Sequence, residues 1–226
     1  MITLTALLAG CAGQVEIPGG SNALAFDGDS CVQVPMDNAA LSDEMSIELT
    51  LRASASASTS DHQPFLTWPG VVAMVELDDH RVAAGPENDP GSGVYSTQSF
   101  LDGGIHHIAA TWDGEGRIQL FTDGERVGFG TYADLRGEST LSIGCWDSEN
   151  AGFEGVIDNV RISSVVRYDD SFKPAFEPFI ADLDTTALWT FDEGGGEVAA
   201  DSAGQYDGTL IGAEWVPFGA STDTDE

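Results

Sequence analysis

Apolar and polar residues alternate with a period of two along most of the chain. Ile47, Leu49 and Leu51 alternate with Ser46, Glu48 and Thr50, the pattern of a strand with one buried face. Strand-like runs also fall at 24–26, 32–34, 65–68, 71–77, 105–112, 118–122, 127–131, 141–146 and 156–162. No segment longer than ten residues keeps apolar residues at i, i+3, i+4 and i+7, so helix is not expected. Asp113-Gly114 and Asp123-Gly124 each follow an apolar run. Such turns favour antiparallel hairpins because they need positive φ. Strands joined by tight glycine turns, without helices between them, predict an all-β, antiparallel two-sheet β-sandwich.

The breaks in the pattern divide the chain. Residues 1–11 read as a signal segment, 12–21 as a short linker, 22–168 as the sandwich, 169–218 as a C-terminal extension and 219–226 as an acidic tail. The first ten residues are apolar, too short to span a bilayer, and lack a basic n-region. Leu8-Ala9-Gly10-Cys11 resembles a bacterial lipobox, which implies cleavage before Cys11 and a lipid on its thiol. The alternative is an ordinary secretory signal with a chance cysteine. Either way the domain is expected outside the cytoplasm, where disulfides persist. Cys31 and Cys145 both fall in strand-like runs; they form either a disulfide, the favoured reading, or two buried thiols.

Composition narrows the partners. Asp and Glu total 38 against 8 Lys and Arg, for a net charge of -30. Nothing would neutralise phosphates, so nucleic acid is excluded as a partner. Adsorption to anionic lipid is disfavoured too, and membrane contact would run through the lipid anchor alone. The charge permits cation binding; a high-salt habitat explains it equally well.

Six strings in order resemble the laminin-G-like family of concanavalin A-like jelly rolls: ALAFDGD at 23–29, VQVP at 32–35, MSIELTL at 45–51, GIHHIAATWDG at 104–114, IQLFTDGERV at 118–127 and GVIDNVRI at 155–162. The resemblance implies two packed antiparallel sheets and a role in binding glycans or cell-surface proteins without catalysis, often with a structural calcium ion. Residues 187–215 are similar to the segment that usually precedes the FDG strand in this family. Here they follow the last matching strand, either completing the same sandwich or starting a second copy.

Candidate chemistry centres on Asp158. Simple alternation puts it in one row with Val156, Val160 and Ile162, where a lone carboxylate needs a partner. Calcium would serve, and the resemblance implies Asp27, through its carboxylate, and Gly28, through its carbonyl, as further ligands. A β-bulge or a reversed face is the alternative. Trp68 and Trp146 lie at strand ends and are the candidates for a ligand-binding surface, whereas Trp112 and Trp189 read as core. His106 and His107 are adjacent in one strand and point to opposite faces, so they cannot chelate one metal together. The Glu-x-Asp-x-Glu string of jelly-roll glucanases is absent, as are G-x-S-x-G, H-E-x-x-H and a P-loop, so no catalytic residues are assigned.

Overall fold

The computed structural model describes residues 22–37, 40–54, 62–76, 81–85, 93–97, 99, 102–132, 140–146, 152–174 and 178–218. The expected signal segment, Cys11, the linker and the acidic tail lie outside the described residues.

Two eight-stranded sheets face each other. Sheet A holds β1 (Asn22–Asp27), β3 (Glu44–Ala53), β8 (His106–Asp113), β9 (Arg117–Thr122), β10 (Glu125–Thr131), β12 (Glu154–Ser163), β13 (Thr185–Trp189) and β16 (Glu214–Pro217). Its order is β10-β9-β8-β3-β12-β1-β16, with β13 also paired to β12. Sheet B holds β2 (Cys31–Val34), β4 (Gln63–Trp68), β5 (Val72–Glu76), β6 (Val82–Gly85), β7 (Val94–Tyr95), β11 (Leu141–Ile143), β14 (Val198–Ala199) and β15 (Gly208–Ile211), in the order β14-β15-β2-β11-β4-β5-β6-β7. Every registered pair of these strands is antiparallel.

Alternation explains the core. Ile47, Leu49 and Leu51 of β3, Ile108 and Ala110 of β8, and Ile118 and Leu120 of β9 point inward to meet Val32, Leu66, Met74 and Ile143 from sheet B. Trp68, Trp112 and Trp189 are fully buried there, each contributing large apolar area. The β9–β10 corner is the expected Asp-Gly turn, with Asp123 at φ 50° and Gly124 at φ 76°.

The segment after residue 184 adds strands to both layers. β16 pairs with β1, β13 with β12, and β15 with β2. It therefore supplies edges to the one sandwich and builds no separate core.

β12 corrects the alternation reading of Asp158. Ile157 pairs with Leu51, but the next partner, Thr50, pairs with Asn159. Asp158 is the extra residue of a β-bulge. Ile157 faces the core before the bulge, and Val160 and Ile162 face it afterwards. Asp158 thus does not belong to the inward row.

Candidate functional site

The outer face of sheet A is closed. A strap from Ser164 to Asp184 crosses it, fixed by Ser46 Oγ donating to the Val165 carbonyl at 2.7 Å, Arg126 donating to the Asp169 carbonyl at 2.9 Å, and the Phe172 amide donating to the Gly124 carbonyl at 2.8 Å. Beneath it lies Glu48, with 0% of its side chain exposed. Its Oε1 accepts from Arg161 Nε at 2.8 Å and Nη2 at 2.6 Å; its Oε2 accepts from His107 Nε2 at 3.0 Å and the Tyr168 hydroxyl at 2.7 Å. Burial alone would raise the Glu48 carboxyl, but the His107 bond and the Arg161 charge hold it below the usual range. Burial and the Glu48 carboxylate push the Tyr168 hydroxyl up. Rings of Phe172 and Phe179 meet His107 edge-on, and the Arg161 guanidinium lies 4.7 Å from the Phe179 centroid. A sealed, charge-compensated cluster of this kind holds the strap down and leaves no room there for a ligand.

The outer face of sheet B differs. Ala73, Val75 and Ala83 form a small apolar bed on that side, and Tyr95 and Trp146 pack against it while staying partly exposed. Val75 pairs with Ala83, and Ala83 with Tyr95, so one row runs from β4 to β7, about 14 Å at three strand spacings. Trp146 sits at the β4 end, its indole N–H donating to the His62 carbonyl at 3.4 Å. The neighbouring Cys145 is fixed twice. It forms a disulfide with Cys31, with Cα atoms 5.3 Å apart, and its carbonyl accepts from Thr67 Oγ1 at 2.9 Å.

The predicted tryptophans therefore separate. Trp146 lies at the surface, but Trp68 is 0% exposed within the core and cannot stack on a ligand. Position at a strand end misled because the β4–β5 turn continues the inward row at Trp68, which pairs with buried Val72.

Asp27, Gly28 and Asp158 are not brought together. Asp27 pairs with Glu154, four positions along β12 from Asp158, about 13 Å at the rise of a strand. Asp27 instead closes its own turn, with its Oδ1 accepting from the Asp29 amide at 3.1 Å. Among the described residues no group of three or more His, Cys, Asp or Glu converges as a metal site. Asp158 is 5% exposed; burial, with the Asp192 carboxylate adding to it, pushes its carboxyl up to about 7. Its bonded neighbour is the Asn159 amide nitrogen.

Residues 26–171 match the family model of the concanavalin A-like lectin/glucanases superfamily. The chain belongs to that superfamily. No curated protein matches it. A proposed carbohydrate binding protein from Bacteroides ovatus shares the fold with a TM-score of 0.73 at 17% identity, over 90% of this chain. The chain spans 61% of the length of that protein. The CBM40 of the Ruminococcus gnavus IT-sialidase, solved with α2,3-sialyllactose, is similar with a TM-score of 0.51 at 13% identity, over 66% of this chain and 96% of its own.

This concanavalin A-like domain also carries a titratable clamp that the sequence reading missed. His106 Nδ1 meets Asp123 Oδ2 at 2.8 Å and its Nε2 meets Asp102 Oδ1 at 3.1 Å. A neutral imidazole can donate from only one nitrogen, so two carboxylate partners favour the imidazolium. Burial alone would lower its pKa, but Asp123 and then Asp102 outweigh it and raise it above 6.5. The clamp's stabilisation is therefore complete below about pH 6.5 and lost as pH rises through the folded-state value. We expect unfolding midpoints to fall across that window in the native chain, and the slope to disappear in His106→Gln. An identical slope in the variant would reject the clamp.

Proposed function

We propose that the chain is a non-catalytic carbohydrate-binding module that acts outside the cytoplasm, held to the cell envelope through Cys11, and that its glycan lies on the outer face of sheet B. The observation that carries this reading is the pair of partly exposed rings, Tyr95 and Trp146, seated on the bed of Ala73, Val75 and Ala83. Aromatic faces suit the apolar C–H faces of pyranose rings, and a rigid, pre-ordered pair binds with little loss of side-chain freedom. A separation of about 14 Å suits a short oligosaccharide rather than a single sugar. The closed face of sheet A favours sheet B by elimination. The two similar solved structures, one a proposed carbohydrate binding protein and one bound to a glycan, support the reading. The Cys31–Cys145 disulfide fits an oxidising compartment.

A glycan array followed by titration calorimetry on the strongest signal tests the proposal. We expect Trp146→Ala to weaken binding at least tenfold, the scale of a lost aromatic anchor, without lowering the unfolding midpoint by more than a few degrees. A blank array, or a hit whose affinity ignores Trp146, would send the search to a protein partner on the envelope.

A further inference from the structure

β12 has two partners on one edge. β1 pairs with its residues 154–157 and β13 with residues 160–163. Asp158 and Asn159 face the break between them. The loop after β13 fills that break. Asp192 lies three residues beyond Trp189 and is tied to the start of β1: its Oδ1 accepts from the Asn22 amide at 3.2 Å and its carbonyl accepts from Asn22 Nδ2 at 3.2 Å. Asp158 is 5% exposed and Asn159 only 2%. Among the described residues no cationic side chain bonds Asp158, and Asn159 Oδ1 is buried without a hydrogen-bond partner. Two carboxylates repel each other there, and a buried amide oxygen is left with an unmet demand. Either fact alone is costly. A cation would relieve both.

We propose that Asp158, Asn159 and Asp192 hold one hard divalent cation, best matched by Ca2+, and that this break in the edge of sheet A, rather than the Asp27–Gly28 turn, is the chain's metal site. The donors are all oxygen, as Ca2+ requires. Asn159 Oδ1 belongs to the same amide whose nitrogen meets the Asp158 carboxylate. The two oxygens therefore fall within about 5 Å, the span available across one Ca2+ with bonds of about 2.4 Å. Asp192 is exposed and gives the ion an entry path, with water completing the shell. Mg2+ demands a near-ideal octahedron and gives up its water reluctantly, so an irregular set made by a bulge and a loop fits it less well. The ion would bridge β12 to the loop that caps β1, fastening the C-terminal segment to the sandwich. The proposal is independent of where, or whether, a glycan binds.

The test uses the whole chain, stripped with chelator and held at constant ionic strength so that screening of the acidic surface does not change. At a hundredfold excess over Kd, Ca2+ should raise the unfolding temperature by about 5–10 °C, and Mg2+ by less than half of that. Asp158→Asn and Asp192→Asn should each abolish the rise, and Asp27→Asn should keep it. Asp192 is exposed, so its variant is expected to fold even if the Asp158 variant does not. Calorimetry should find one Ca2+ per chain. No rise in the native chain, an equal rise with Mg2+, a rise that survives in Asp192→Asn, or one lost in Asp27→Asn would each overturn the assignment.

Discussion

Glu48→Ala is expected to cost about 3–5 kcal/mol of stability, the range for removing one partner from a buried ion pair. The reason is the set of donors it leaves behind. Arg161, His107 and Tyr168 all give their hydrogen bonds to this one carboxylate. The Arg161 side chain is 11% exposed and that of His107 1%, so water cannot replace the lost acceptor. The strap would lose its floor at the same time, since Tyr168 stacks on Phe172 with ring centroids 3.6 Å apart. Denaturant unfolding checks this through a lower midpoint. Replacing Arg161 by Met together with Glu48 by Gln should recover part of the loss, because no uncompensated charge is then buried. A cost under about 1 kcal/mol for Glu48→Ala, typical of exposed pairs, would mean that solvent reaches the carboxylate and that the strap stands open.

Removing the disulfide by Cys31→Ser with Cys145→Ser should cost about 2–5 kcal/mol. The cross-link closes a loop of 114 residues, and long loops restrict the unfolded chain most, by about 5 kcal/mol at this length in the chain-entropy model. It joins β2 to the residues following β11, near the middle of sheet B. Trp146 is the next residue, so the double variant should also bind its glycan more weakly at a temperature where it remains folded. Parallel thermal unfolding of the two forms, with and without reductant, measures the first effect, and calorimetry the second. Reductant should lower the midpoint of the native chain alone. Equal midpoints for native and variant chains would show that the bond adds nothing.

The sandwich was legible because alternation is a local signal and the core face of β3, β8 and β9 obeys it throughout. The cysteine pair was legible by count and compartment, with two buried thiols as the open alternative. Three features escaped for physical reasons. The bulge at Asp158 inserts one residue without breaking the hydrophobic run, and only the paired strand reveals that Thr50 meets Asn159. Glu48 sits on the polar side of β3, which says which face it takes but not that a strap nearly 120 residues further on will cover it. Trp68 and Trp146 look alike in sequence, each at a strand end beside a turn. Register turns one inward, while the corner after Cys145 leaves the other on the surface.

The account stands or falls on where a glycan touches the protein. Amide and indole chemical shifts should be recorded while the strongest array hit is titrated into isotope-labelled protein. The expected result is a set of shifts confined to Ala73, Val75, Ala83, Tyr95 and the Trp146 indole, with the glycan recovered uncut. Shifts centred on the strap and β3 side, or a shortened glycan, would contradict it.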